Sequence, residues 1–217
     1  MKGLLLNQYY AVEKTIWYYV PLSLVVTTIL LYFDQAMTQR LAAFLPILLL
    51  STAAFEVLKH EAKSGWNKFV LTLPVKRSRV VQSHYLFFLT LTVLGLLIAC
   101  VALLIAQFGF GQAPSAGYTY SLMNILGITF TMGIVAYPLT YLLGTEKAEF
   151  VIMASGGAGI GVFFLSAYLF DLLLMPLYAF QGLNSDLVFS LGFLVVNFIL
   201  FVGSYIISIQ VYKRKEF

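Results

Sequence analysis

An all-α, polytopic membrane protein with six transmembrane helices is the fold this sequence predicts, and three observations carry that reading. Of its 217 residues 61% are hydrophobic and 10% charged, with a mean hydropathy of +0.91. A soluble core of this length cannot hide so much apolar surface, so the solvent is lipid. Apolar runs recur six times, each near the ~20 residues a spanning helix needs. The basic residues fall between those runs, as membrane topology groups them. The chain reads as one transmembrane domain over 1–217.

Residues 1–15 are too short and too polar to span. Leu5, Tyr9, Val12 and Ile16 fall within about 60° of one another at ~100° per residue, with Asn7 and Lys14 opposite. That pattern predicts a helix lying in the membrane interface. The six spans are expected at 16–33, 41–58, 84–107, 120–144, 149–170 and 187–209. No A-x-A site follows the first run, which is therefore expected to stay as an anchor. An even number of spans leaves both termini on one side. Lys2, Lys14, six basic residues in 59–83, Lys147, Lys213, Arg214 and Lys215 make twelve on that side, against Arg40 alone on the other. The positive-inside rule then makes both termini cytoplasmic.

The inner connections are the loop 59–83 and a tight turn at Gly144–Ala148; the outer ones are 34–40, 108–119 and 171–186. The last is apolar, broken by Pro176 and Gly182 and bracketed by Asp171 and Asp186. It reads as an outer re-entrant or interfacial hairpin. Pro138 is expected to kink the fourth span. In the fifth, Ser155/Gly159 and Gly157/Gly161 are spaced four apart, which lets a neighbouring helix come close.

The missing chemistry excludes several functions. No ionisable residue lies near the middle of a span, which disfavours proton or sodium coupling. Glu56, at the end of the second span, is followed by Lys59, His60 and Lys63 at spacings that favour local ion pairs. Asn124, Thr129, Thr131, Asn197 and Ser204 are the polar groups inside, expected to bond across helices. No G-x-x-x-x-G-K-[ST] motif occurs, so any ATP that drives this chain is bound, with its magnesium, by another one. Met153-Ala154-Ser155-Gly156 lacks the first glycine of an intramembrane serine protease motif, and His60 and His84 sit outside the spans' interiors. Two distant histidines and Cys100 make no metal site. Cys100 itself reads as a small packing residue. The basic residues form no continuous face for nucleic acid.

What remains is the polar passage Lys59–Ser83, with Trp66 beside Gly65 at its middle. An aromatic in a polar loop can anchor a partner protein, with Lys63 and Lys68 on the rim. The alternative is a belt tryptophan at the lipid surface. Glu61-Ala62-Lys63-Ser64-Gly65-Trp66-Asn67-Lys68-Phe69, then Leu73-Pro74-Val75, then Ser83-His84-Tyr85-Leu86, resemble the cytoplasmic segment of small type-2 ABC exporter permeases. Met1-Lys2-Gly3-Leu4-Leu5-Leu6 and the six-span layout are similar too, and the whole comes near the staphylococcal phenol-soluble modulin exporters. Lys76 stands where that family has a serine, which removes a helix cap. His84 replaces the usual lysine.

The resemblance implies a bacterial plasma-membrane subunit docked on a separate ABC ATPase. It implies a homodimer or a pair with a related permease, and an outer hairpin capping the path. It makes Glu61, Lys63, Gly65, Trp66, Asn67 and Lys68 the ATPase-coupling residues, with no catalytic residue and no cofactor in this chain. Walls rich in aromatics, among 19 Phe and 14 Tyr, suit an amphipathic or hydrophobic peptide cargo better than an ion or sugar. The competing readings are an intramembrane protease and a membrane immunity or sensor protein that transports nothing.

Overall fold

The computed structural model describes residues 1–33, 35–111, 115–174 and 184–214, without the side chains of Asn67, Lys68 and Leu71. Seven α-helices account for most of them: α1 (Lys2–Tyr32), α2 (Ala36–Ser64), α3 (Trp66–Phe69), α4 (Arg77–Phe110), α5 (Ala116–Leu143), α6 (Ala148–Leu169) and α7 (Ser185–Arg214). Short 3₁₀ turns at Val70–Thr72 and Thr145–Lys147 and a π-helical turn at Phe170–Leu174 complete the described chain. All but α3 are long and apolar enough to cross a membrane.

The helices outrun the apolar runs that mark them. α4 has 34 residues, about 51 Å at 1.5 Å per residue, against a hydrocarbon core of ~30 Å. Hydropathy reports where lipid ends, and Glu, Lys, Arg and Ala continue a helix well beyond that point. The expected 59–83 loop therefore shrinks to 65–76. The connection expected at 34–40 shrinks likewise, because α2 already begins at Ala36. The amphipathic start and the first span form one element, α1, broken at Val12 (φ −125°, ψ 15°). The expected hairpin at 171–186 falls largely outside the described residues; its first part is the π-helical turn that continues α6.

α2, α4, α5 and α7 make the middle of the bundle, with α1 packed on α2 and α4, and α6 on the far flank against α5. Lipid tails are as apolar as leucine, so fit between helices, more than water exclusion, holds such a bundle together. Gly95 packs against backbone: a Cβ there would stand 2.7 Å from the Pro46 carbonyl and 2.8 Å from the Ile47 Cα. Gly127 and Gly133 face the rings of Phe193 and Phe201 on α7. Between these contacts a chain of rings fills the core, with Phe55–Phe88 at 5.2 Å, Phe88–Phe201 at 5.3 Å and Tyr85–Tyr137 at 4.6 Å.

On α6 the small residues expected to pack fall on two faces. Ser155 is buried, and a Cβ on Gly159 would stand 3.0 Å from Met132 and 3.2 Å from the Ile128 carbonyl. Gly157 and Gly161 have nothing within 4 Å. Two residues on along a helix is a rotation of ~200°, so the second pair points away from the first. Cys100 is also corrected, since it is exposed on the outside of the bundle. Of the five interior polar residues, Thr131 bonds Asn197 at 2.7 Å, and Ser204 lies 2.9 Å from the Tyr85 hydroxyl. The Asn124 amide oxygen and the Thr129 hydroxyl are buried with no partner among the described residues.

Candidate functional site

At the end of the bundle that carries the 65–76 connection, α2 stops because Gly65 takes a left-handed conformation (φ 70°) and returns its N–H to the Ala62 carbonyl. Glycine alone adopts this without a Cβ penalty. Lys63 lies in the last turn, where a cation meets the negative end of the helix dipole. The chain then makes the single turn of α3, held by the Phe69 N–H donating to the Gly65 carbonyl at 3.1 Å. The Thr72 hydroxyl donates back to the Phe69 carbonyl at 2.8 Å. Leu73 is extended (ψ 150°), as the residue before a proline prefers. α4 restarts at Arg77 with Lys76 at its N-cap and no side-chain capping bond. The missing cap expected from Lys76 is what the structure has.

Val70 is 2% exposed and pins this loop to the core. Trp66 is half-buried against the same core, with its ring 5.5 Å from that of Phe69. Phe69 is 54% exposed. The sequence reading took Trp66 as the exposed aromatic; the ring that reaches outward is Phe69, three residues on, and Trp66 braces it from behind. Lys63 is exposed, and Gly65 makes the turn. The side chains of Asn67 and Lys68 lie outside the described residues.

Glu61, expected among the ATPase-coupling residues, is 5% exposed, and its Oε1 lies 3.0 Å from His84 Nε2. His84, expected at a span's mouth, is itself 4% exposed, and its Nδ1 lies 2.8 Å from the Tyr141 hydroxyl. This buried line of hydrogen bonds joins α2, α4 and α5 directly under the loop. It borders a small cavity of about 50 Å³ that Val70, Thr145 and Tyr212 also line. Burying three polar groups is tolerated because each has a partner.

Further polar contacts gather at the same end. The Gln8 amide donates to the Ser83 hydroxyl at 2.9 Å, tying the start of α1 to α4. Glu56 accepts from the Thr15 hydroxyl at 3.0 Å. Lys59 reaches Glu149 on α6 at 3.8 Å. The local pairing expected for Glu56 with Lys59, His60 and Lys63 gives way to these contacts between helices. Arg77 donates to the Lys213 carbonyl at 3.0 Å, closing α4 onto α7. Ser155 donates to the Ile152 carbonyl, while His84 is bonded to Glu61 and Tyr141. Among the described residues no cluster of His, Cys, Asp and Glu fits a metal ion.

The arrangement joins a surface to an interior: Phe69 stands against Trp66, Val70 is buried beside them, and Glu61, His84 and Tyr141 link α2, α4 and α5 by hydrogen bonds. Sequence reasoning missed Phe69, His84 and Tyr141 as members. The one available signal was Phe69 three residues after Trp66, the spacing of neighbours on a helix. Residues 3–213 match the model of a family described as ABC-2 family transporter protein. No curated protein and no solved structure matches the chain.

Proposed function

Because the chain belongs to the ABC-2 family of transporter proteins, it is a membrane permease subunit of an ABC transporter, and we propose that the 65–76 connection is where its ATP-binding subunit docks. One observation carries this: an exposed phenylalanine on a short helix, braced by Trp66 and backed by a buried hydrogen-bond line into three spans. Exposed aromatics with rigid support are the usual anchors of protein interfaces. The start of α1, the end of α7 and most of the described basic residues lie at that end, and the positive-inside rule supports reading it as the cytoplasmic side of a bacterial plasma membrane.

The cargo we assign is an amphipathic or hydrophobic peptide of the phenol-soluble modulin or antimicrobial type, moved outward. Support comes from the aromatic interior and from the absence of an ionisable residue at the middle of the spans. A second permease, identical or related, completes the path. The open face of α6, where Gly157 and Gly161 have nothing within 4 Å, offers that partner a close approach.

Docking is tested by co-purification of the ATP-binding subunit with the tagged permease. Phe69→Ala is expected to cut recovery at least tenfold, and Trp66→Ala to leave binding but uncouple hydrolysis from transport. Undiminished recovery and transport in both variants would sink the docking assignment. Cargo is tested by ATPase stimulation of the reconstituted complex, where amphipathic helical peptides should stimulate and sugars or hydrophilic peptides of equal length should not.

A further inference from the structure

At the opposite end of the bundle, outward in the reading above, the first turns of α2, α5 and α7 splay from the end of α6 around a cleft of about 610 Å³. That volume lies within the ~300–1,000 Å³ typical of ligand pockets. Phe44, Phe163, Phe164 and Phe189 form apolar walls. Six polar side chains break them: Arg40, Tyr120, Ser121, Asn124, Asp186 and Ser190.

Arg40 is exposed at the mouth and forms no ion pair or hydrogen bond among the described residues. Its guanidinium lies across Gly117, with Nε 3.6 Å from where a Cβ of that residue would stand. A Cβ at 117 would make an ordinary van der Waals contact with Arg40. Asn124 is seven residues further along α5, about 10 Å deeper at 1.5 Å per residue. Its amide oxygen is buried without a partner among the described residues. A buried acceptor left unmet costs ~1–3 kcal/mol, which a donor brought by a ligand recovers. The cleft thus asks for an anion at its mouth, an N–H donor about 10 Å further in, and apolar groups between them. A lipid phosphate satisfies Arg40, but its acyl chains carry no donor to that depth. An extended peptide spans ~3.3–3.6 Å per residue, so a backbone N–H about three residues from its end arrives there.

Resting on the peptide-cargo reading, the geometry points to this cleft as a binding site for the C-terminal end of an amphipathic peptide. The terminal carboxylate meets Arg40, and a backbone N–H meets the Asn124 oxygen. Apolar side chains lie on the four phenyl rings, and Asp186 at the rim repels a peptide with an acidic flank.

The experiment uses the purified permease–ATPase complex and an N-terminally labelled amphipathic helical peptide, made with a free and with an amidated C-terminus. Fluorescence anisotropy should show amidation weakening binding to the wild-type about tenfold. Arg40→Gln should abolish that difference, and Asn124→Leu should weaken both peptides several-fold while keeping it. The readout is a difference between two ligands on one protein, so a general loss of folding cannot imitate it. Equal binding of both forms to the wild-type overturns the inference, even if both stimulate ATPase, and the cargo reading then stands. An amidation effect that survives Arg40→Gln also overturns it. Binding of neither peptide, with no ATPase stimulation, overturns both. Phosphatidylethanolamine retained by the wild-type and lost in Arg40→Gln, without carboxylate dependence, makes the cleft a lipid site and overturns it as well.

Discussion

Glu61 joins His84 and Tyr141 in a space too small for a substrate, so its worth lies in what it holds together. Glu61→Ala leaves a buried histidine with one partner lost, at a cost of ~1–3 kcal/mol. Glu61→Gln keeps an acceptor in place and should recover most of it. The check is the thermal midpoint of the purified complex, where the two variants should separate. Lys76 gives a change of opposite sign. It occupies the N-cap of α4 without a capping bond, and Lys76→Ser supplies one, for a gain of ~1 kcal/mol. Slower amide exchange at 77–80 should report it. That missing cap was legible from the serine position the family resemblance supplied. The burial of Glu61 was not, because a glutamate beside lysines at i−2 and i+2 looks solvated, and only the packing of α4 and α5 turns it inward.

Helix ends were the least legible feature and helix number the most. Hydropathy counts spans because lipid demands a long apolar run, but it is silent on the polar turns that continue past the headgroups, as in 59–64 and 77–83. Close packing was legible only where small residues repeat. Ser155/Gly159 advertised itself by spacing, whereas Gly95 stands alone among large residues and its partner, the Pro46–Ile47 backbone, leaves no periodic mark. The two kinds of glycine should behave differently. Gly95→Ala drives a methyl into backbone at 2.7–2.8 Å and should cost ~1–3 kcal/mol or more, since backbone yields less than side chains. Gly161→Ala meets nothing within 4 Å inside this chain and should leave the permease's own thermal midpoint unchanged. A fall in recovery of a differently tagged second permease in that variant would mark α6 as the shared face.

For the molecule in its membrane, the decisive number is the charge split of twelve against one. In a Cys100→Ala background, a cysteine replacing Ser115 should react with an impermeant thiol reagent on intact cells, and one replacing Lys63 should not. The reverse pattern would invert the whole topology and, with it, the assignment of the 65–76 connection to the ATPase. Six spans and an aromatic interior were readable from composition; the cleft beside Arg40 was not, since it is made by four helices whose lining residues run from Met37 to Ser190.

The bond from Gln8 to Ser83, with Gln8 only 2% exposed, also carries a timing. The start of α1 is synthesised before α4, yet its buried amide has no place to go until residue 83 has left the ribosome and α4 has inserted. Until then the segment before Val12 must wait at the membrane surface, which is where its amphipathic pattern holds it. A cysteine at position 8 should accordingly stay open to modification in nascent chains stalled near residue 70 and become protected once the chain has passed about residue 150. Residues made before α4 thus find their place only after it.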